Sequence, residues 1–392
     1  MSIFFVGCQP GLELDLQNEI EHFWHLLIDL DGLPTRTRPE WGRDELGGVE
    51  ILCENHLGFQ INLFSKLANR VLWRIEKFEA RYFDQFEKAL KKIDLKKHLG
   101  EETFNLYIES SKSRLFHEGN LKEAAHHILK KANTIENEDD FSVYIRIHQD
   151  QVVMSLDSSG KHLHKRGYRL YQGAAPIRET LAAKMYNFLL QSSDQDNTVG
   201  YSSSSPETVL LDPFCGSGTL LFEAASFFIP QVETAFQFEK FKSAPALMKS
   251  PTWRKNYKID VITKNQFLGC ELDTETYKKL ILNYNEFLRC YPILENTKEH
   301  FKFINADSQK VDFGLSSQQK IFFIANPPYG ERLKQSNALA VLHSLERLEG
   351  LKGGVLVHPH DWVFNFSRLK LKQSTVFDNQ GLKLKLSLFV KV

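Results

Sequence analysis

VLLDPFCGSGTLLFEAA, residues 209–225, is the stretch from which the fold can be read. Its apolar opening, Val209 to Asp212, reads as a buried strand, and Thr219 to Phe228 as the helix that follows. Gly216 and Gly218 lie in the turn between them, where a ligand can come close to the backbone and helix N–H groups can face an anion. The turn has no lysine, which excludes a Walker-type phosphate loop. Leu221 stands where a dinucleotide fingerprint places its third glycine, so NAD fits poorly. An acid at the strand end, Asp212, beside a glycine turn suits a ligand with a carboxylate and an amine, such as S-adenosylmethionine (SAM). Cys215 has no partnered base nearby and reads as a small buried turn residue, not a nucleophile.

Working outward, QFLGCELD (266–273), FKFINAD (301–307), KIFFIANPP (320–328) and GGVLVHPH (353–360) read as further apolar strands. Helices fall between them; in one, Tyr277, Leu280, Ile281, Tyr284 and Leu288 keep an apolar face at helical spacing. The alternation predicts an α/β domain, a mostly parallel sheet covered on both faces. STVFD and LKLKLSLFV near the end are joined too closely for a helical crossover, so they form an antiparallel hairpin at the sheet edge. Glu271 and Asp307 close the second and third strands, as Asp212 closes the first. A carboxylate at 271 can accept both ribose hydroxyls, and one at 307 the adenine amine. Glu271 lies further from the glycine turn than is usual, so residues 230–264 read as an insertion.

ANPPYGERL, residues 325–333, supplies a second site. Two prolines cannot continue a central strand, so the strand ends here with carbonyls exposed. An exocyclic ring amine is a weak nucleophile because its lone pair is delocalised. The Asn326 side-chain oxygen and the Pro327 carbonyl can accept its two hydrogens and favour a pyramidal nitrogen. Tyr329 can stack on the base. Catalysis then rests on positioning and a dry site, and the base must be flipped out or unpaired.

Residues 1 to about 170 mix short strands with helices: FFVGC, a helical pattern from Leu12 to Phe23, and FSVYIRIHQDQVVMSLD, which alternates like a hairpin. A helical segment at Ala175 to Leu190 is followed by the Ser-rich stretch 191–208, a linker by composition. MSIFFVGCQPGLELD lacks a basic segment and a cleavage site, so it reads as a strand entering a helix and not as a signal peptide. No run of 18 apolar residues occurs. The five cysteines form no CxxC pair, which argues against a zinc site or disulfides; they read as reduced thiols of a cytoplasmic protein. Lys plus Arg and Asp plus Glu both number 49, so any nucleic-acid contact must use local clusters of basic residues.

Three such clusters occur: Lys88, Lys91, Lys92, Lys96 and Lys97; Arg114, Lys122, Lys130 and Lys131; and Lys161, His162, His164, Lys165, Arg166 and Arg169. The third interleaves cations with Tyr168 and Tyr171 and leads into the cofactor domain, so Lys161, His164, Lys165, Arg166 and Arg169 are the nucleic-acid-binding candidates. The histidines have no Cys or carboxylate at metal spacing, and no metal is expected.

DPFCGSGT and NPPYGERL together resemble the class I methyltransferases that act on exocyclic amines. Three further stretches narrow the resemblance: SLDSSGKHLHKRGYRLYQGAAPIRETLAAKM (155–185), NLFSKLANRVLWRIEKF (62–78) and FDNQGLKLKLSLF (377–389). They look like the bacterial THUMP-domain RNA methyltransferases that make N2-methylguanine in 23S ribosomal RNA. The resemblance implies a ferredoxin-like region at 1–55, a THUMP RNA-binding domain at 56–165 and a Rossmann-like catalytic domain at 166–392. Its seven-stranded sheet would have the last strand antiparallel. It implies SAM contacts at Asp212, Gly216, Gly218, Glu271 and Asp307, with Pro176, Arg178, Glu179 and Thr180 near the cofactor. Asn326, Pro327 and Tyr329 would meet the target base. Some members carry a second methyltransferase domain after the first, where this chain ends. Alternative readings are an N6-adenine methyltransferase on RNA or DNA, a transfer RNA guanine-N2 methyltransferase, and a noncatalytic RNA-binding assembly factor.

Overall fold

The computed structural model describes residues 1–171, 177–191, 208–250, 252–257, 265–329, 335–379 and 381–392. The chain divides into two units, Met1–Leu163 with Thr234–Lys258, and His164–Glu233 with Ile259–Val392.

The first unit is built on strands β1 (Ser2–Gly7), β2 (Glu40–Glu45), β3 (Gly48–Cys53), β4 (Arg70–Glu79), β5 (Phe104–Ser111), β6 (Phe141–His148) and β7 (Gln151–Asp157). They form one seven-stranded sheet in the order β2-β3-β1-β4-β7-β6-β5. Every described pairing is antiparallel except β5 with β6. The β6–β7 hairpin turns through Gln149 and Asp150, both at positive φ, which suits the right-handed twist of paired strands. Strict alternation of buried and half-buried residues along β6 marks a sheet with one face packed and one face wetter. Helices α1 (Glu13–Trp24), α2 (Asn55–Phe64), α3 (Phe83–Leu90), α4 (Lys96–Leu99) and α5 (Glu118–Leu129) accompany it. The stretches 1–55 and 56–165, read separately in the sequence, share this sheet because β1 is hydrogen-bonded to β3 on one side and β4 on the other.

Residues 234–258 complete the core of this unit. Phe238 stacks on Phe59 of α2 at 5.0 Å, and Phe241 packs against Phe59, Trp73 and Phe141. The Tyr257 hydroxyl donates to Gln60 Oε1 at 2.6 Å, and His98 Nδ1 lies 2.9 Å from Ser243 Oγ.

The second unit carries β8 (Thr208–Asp212), β9 (Asn265–Glu271), β10 (Phe301–Asn305), β11 (Lys320–Ala325), β12 (Leu351–Pro359), β13 (Leu369–Asn379) and β14 (Leu382–Lys391). Their order is β10-β9-β8-β11-β12-β14-β13. The first five run parallel, and β14 is antiparallel to both β12 and β13, as the short connection requires. The helices are α6 (Glu179–Gln191), α7 (Thr219–Ala225), α8 (Thr274–Cys290) and α9 (Gln335–Leu345). On one face Val209, Leu211, Leu268, Ile321, Phe323 and Leu356 pack with Leu342 and Leu345 of α9. Elsewhere Phe222 of α7 stacks on Phe287 of α8 at 4.8 Å and meets Tyr168 edge-on. These aromatic layers in both units account for much of the phenylalanine in the composition. Among the described residues, no helix is long and apolar enough to cross a membrane.

Candidate active site at the sheet switch point

β9 and β10 lie to one side of β8, and β11 and β12 to the other. Connections therefore diverge between β8 and β11, and all five parallel strands end at the same edge. Such a divergence opens a crevice beyond the strand ends. Asp212 ends β8, Glu271 ends β9 and Asn326 follows the end of β11. Register pairs Leu211 with Phe323, so Asp212 and Asn326 alternate onto the same sheet face.

The glycine turn is locked onto β9. Cys215 N–H donates to Cys270 O at 3.0 Å, and Gly218 N–H to Cys215 O at 2.9 Å. Both glycines have positive φ, +55° at Gly216 and +92° at Gly218. A Cβ at 218 would also lie 2.5 Å from the Phe222 ring and 2.6 Å from Leu280, whereas one at 216 would meet nothing nearer than 3.9 Å. Glycine at 218 thus serves packing and conformation, and glycine at 216 serves conformation and leaves its surroundings open. Cys215 is buried, and burial pushes its thiol well above the ordinary range, as a structural turn residue requires.

The acids differ in state. Asp212 is fully buried; its Oδ1 accepts the Phe214 N–H at 3.0 Å, while Oδ2 has no hydrogen-bond partner among the described residues. Burial pushes its carboxyl up to about 8, with the nearby Glu271 charge adding to the effect and the Phe214 N–H opposing it. Glu271 accepts the Gly216 N–H at 2.9 Å and the Asp273 N–H at 2.8 Å, joining the turn to the β9 exit. Asp307 accepts the Gln309 N–H at 3.0 Å and lies 3.4 Å from Lys310 Nζ. Next to it, Ser308 Oγ donates to Pro213 O at 2.6 Å, which fastens the β10 loop to the end of β8. Across the switch point, Asn326 Oδ1 is buried without a partner among the described residues, Pro327 is buried, and Tyr329 is half-buried with its hydroxyl pushed up by burial.

The segment before α6 is only partly described. Pro176 lies outside the described residues, as do residues 192–207 of the linker and residues 330–334 after Tyr329. Arg178 is exposed and Thr180 buried. Glu179 pairs through Oε1 with Arg169 Nε at 3.1 Å, and its buried Oε2 has no hydrogen-bond partner. Burial raises this carboxyl, and the Arg169 charge partly opposes the rise.

The third basic cluster separates into two kinds of residue. Lys161 and Lys165 are exposed and His164 is half-buried. Arg166 is not available to RNA: its guanidinium is fully buried and lies 3.4 Å from Glu223 of α7, whose other oxygen accepts the Tyr168 hydroxyl at 2.7 Å. Arg169 is turned to Glu179 and donates to Ile177 O at 2.6 Å. Full burial of Arg166 corrects the RNA-facing expectation for that residue, while the half-buried Arg169 is tied to the start of α6. Glu223 and His358 were not singled out in the sequence. Glu223 sits inside an apolar helix, where nothing in the sequence names its partner. His358 lies on β12 beside the β11 exit, with Nε2 2.8 Å from Ser387 Oγ and Nδ1 2.7 Å from Pro359 O. Burial lowers it to about 4, so it stays neutral and ties the β12 end to β14. Among the described residues, no three His, Cys, Asp or Glu side chains gather as a metal site.

Residues 166–350 match a family model described as RMKL-like, methyltransferase domain. The chain is 26% identical over 379 residues to the ribosomal RNA large subunit methyltransferase K/L of Cellvibrio japonicus (strain Ueda107), covering 90% of this chain and 46% of that protein. It therefore spans about half the length of the curated relatives it matches. Among solved structures, a possible methylase from Clostridium difficile 630 superposes with TM-score 0.73 at 24% identity, covering 100% of this chain and 98% of that one. SMU.472, complexed with SAH, gives TM-score 0.72 at 21% identity over 100% and 98% of the two chains. The fold of the second unit is that of the class I methyltransferases.

Proposed function

From the premise that residues 166–350 carry an RMKL-like class I methyltransferase domain, we propose that the protein methylates the exocyclic N2 amine of a guanine in large-subunit ribosomal RNA, with SAM as donor. The observation that supports this reading best is a pair of buried polar atoms at the switch point, Asp212 Oδ2 and Asn326 Oδ1, both without hydrogen-bond partners among the described residues. A buried polar atom left without a partner costs about 1–3 kcal/mol, so two at one crevice fit a site awaiting a polar ligand. Asp212 faces the end of the sheet where the amino group of an amino-acid moiety would be held. Glu271, already joined to Gly216, would accept ribose hydroxyls, and Asp307 an adenine amine. Gly216 and Gly218 let the backbone approach. Pro176, Arg178, Glu179 and Thr180 are assigned to the cofactor's surroundings, with the buried Glu179 Oε2 the acceptor among them.

SAM supplies an electrophilic methyl group on a sulfonium. The chain's own residues prepare the nucleophile. Asn326 Oδ1 and the Pro327 carbonyl accept the amine hydrogens and direct the nitrogen lone pair at the methyl group, and Tyr329 fixes the base plane by stacking. The burial of Asn326 Oδ1 and of Pro327 limits water at the amine. A base reaches it only when flipped or unpaired. The first unit, with a THUMP-type region, would hold the RNA, assisted by Lys161, His164 and Lys165.

The test uses tritiated SAM and total RNA from a strain deleted for the gene, followed by digestion to nucleosides. Label in N2-methylguanosine of large ribosomal RNA is the expected result, and Asn326→Ala is expected to lose at least ~100-fold in transfer while binding SAM as the parent does. Label in N6-methyladenosine would replace the base, and label in transfer RNA the substrate. Undiminished transfer by the variant would remove Asn326 from the chemistry.

A further inference from the structure

Arginines in the first unit fall into two groups. Arg70 pairs with Asp157, Arg74 with Glu45 and Glu50, Arg81 with Glu79, Arg114 with Asp150, Arg146 with Glu45 and Arg254 with Glu239. Arg36, Arg38 and Arg43 are exposed and form no ion pair among the described residues. Two of these three line one cleft of about 530 Å³, together with Glu21, Trp24, His25, Thr35, Thr37 and Pro39.

The cleft is built, not incidental. Thr35 N–H donates to Leu27 O at 2.7 Å, just beyond the end of α1. Trp24 Nε1 donates to Thr37 Oγ1 at 3.4 Å, and the Thr35 and Thr37 hydroxyls are 3.0 Å apart. These bonds pin the threonines, and the arginines alternate with them along the chain. Glu21 is the one acid on the lining, and its Oε1 already accepts the Trp41 Nε1–H at 3.0 Å. Two guanidiniums against one carboxylate leave the lining positive. A guanidinium is a planar fork of donors that matches phosphate oxygens, and the volume falls within the range of small-ligand pockets, about 300–1,000 Å³.

We propose that this cleft binds the phosphodiester backbone of single-stranded RNA through Arg36 and Arg38. The inference rests on the RNA reading above and adds a contact within residues 21–39, outside both the THUMP-type region and the Lys161–Lys165 segment.

Fluorescence anisotropy of a labelled single-stranded RNA 12-mer, titrated with the full chain between 50 and 200 mM salt, tests it. Arg36→Ala/Arg38→Ala should weaken binding by roughly 10-fold and lower the slope of log affinity against log salt by about 1–2, since each lost phosphate contact releases fewer counterions. SAM affinity and thermal midpoint should stay at parental values. Arg36→Lys/Arg38→Lys keeps the charge and should recover most of the salt slope. Parental affinity and slope in the alanine pair would overturn the proposal, as would equal losses in the alanine and lysine pairs accompanied by a lower midpoint. A chain that methylates no RNA but loses oligonucleotide binding in the alanine pair would retain the cleft and discard the guanine reading. A chain that methylates RNA with an unchanged KM in the alanine pair would do the reverse.

Discussion

Asp212 ends β8 with one carboxyl oxygen held by the Phe214 N–H and the other buried without a partner among the described residues. Its carboxyl stands at about 8, far above the ordinary aspartate. Between the unfolded value near 4 and the folded value near 8, the folded chain keeps a proton that the unfolded chain releases. Stability of the ligand-free protein must therefore fall as pH rises through that window. Asp212→Asn removes this dependence and should raise the thermal midpoint at pH 8.5 by roughly 5 °C while abolishing tight SAM binding. In the parent, SAM affinity should strengthen from pH 6 to about 8 and then level, since an ionised Asp212 suits a cationic amino group. Calorimetry in buffers of different ionisation heat would count the proton released; no release, or the same pH slope in the variant, would detach Asp212 from the cofactor. The sequence marked this residue by its strand-end position, but not its state, which depends on burial. The same limit hid Arg166. Beside Lys165 it reads as surface charge, and only the fold brings Glu223 and Tyr168 to it.

At the scale of elements, β8, β9, β11 and β12 were legible because strands covered on both faces are written as largely apolar runs, and the edge strand β10 was legible from its short aromatic run FKFIN. The β13–β14 hairpin was legible because its connection is too short for anything else. Helix α7 was read to Phe228 and ends at Ala225, where the Ser226 hydroxyl turns back to Phe222 O at 2.8 Å. Apolar residues on both sides of that point erase the boundary in the sequence. The glycine turn before α7 divides into two jobs that the motif alone does not separate. Gly218→Ala should destabilise the second unit by about 1–3 kcal/mol, because its Cβ meets Phe222 and Leu280 at a backbone angle that disfavours side chains. Gly216→Val has open space around its Cβ and should cost about 1–3 kcal/mol of backbone strain without the clash met at 218, yet it should weaken SAM binding at least ~10-fold by filling the space beside the turn. Thermal melts and SAM titrations of the two variants check the division; equal midpoints with equal affinities would dissolve it.

On the scale of the whole molecule, the sequence suggested three consecutive pieces, and the structure has two units with one exchange of chain. Residues 230–264 were visible as an insertion because they lengthen the path from the glycine turn to Glu271. Their destination was not visible, since three short 3-10 helices carry no amphipathic period to assign them to a core. Phe236, Phe238, Phe241 and Trp253 look in sequence like core residues of the catalytic unit that encloses them. In space they belong to the first unit: Phe238 lies flat on Phe59, Phe241 touches Trp73 and Tyr257 reaches Gln60. The first unit is therefore discontinuous, and its core depends on chain that emerges from the second. Replacing residues 234–258 by a flexible linker would uncover Phe59 and Trp73 and remove several buried aromatic side chains, each worth about 3–5 kcal/mol by truncation. That total approaches the stability of an ordinary domain. The replaced protein should show a new transition at low temperature with early proteolysis within residues 1–163, while the transition that SAM shifts upward is kept. Phe238→Ala alone should move the same transition by a smaller amount, without changing SAM affinity. A single unaltered transition in the linker variant would show that the first unit folds without the insert, and loss of SAM binding with it would show that the insert serves the second unit instead.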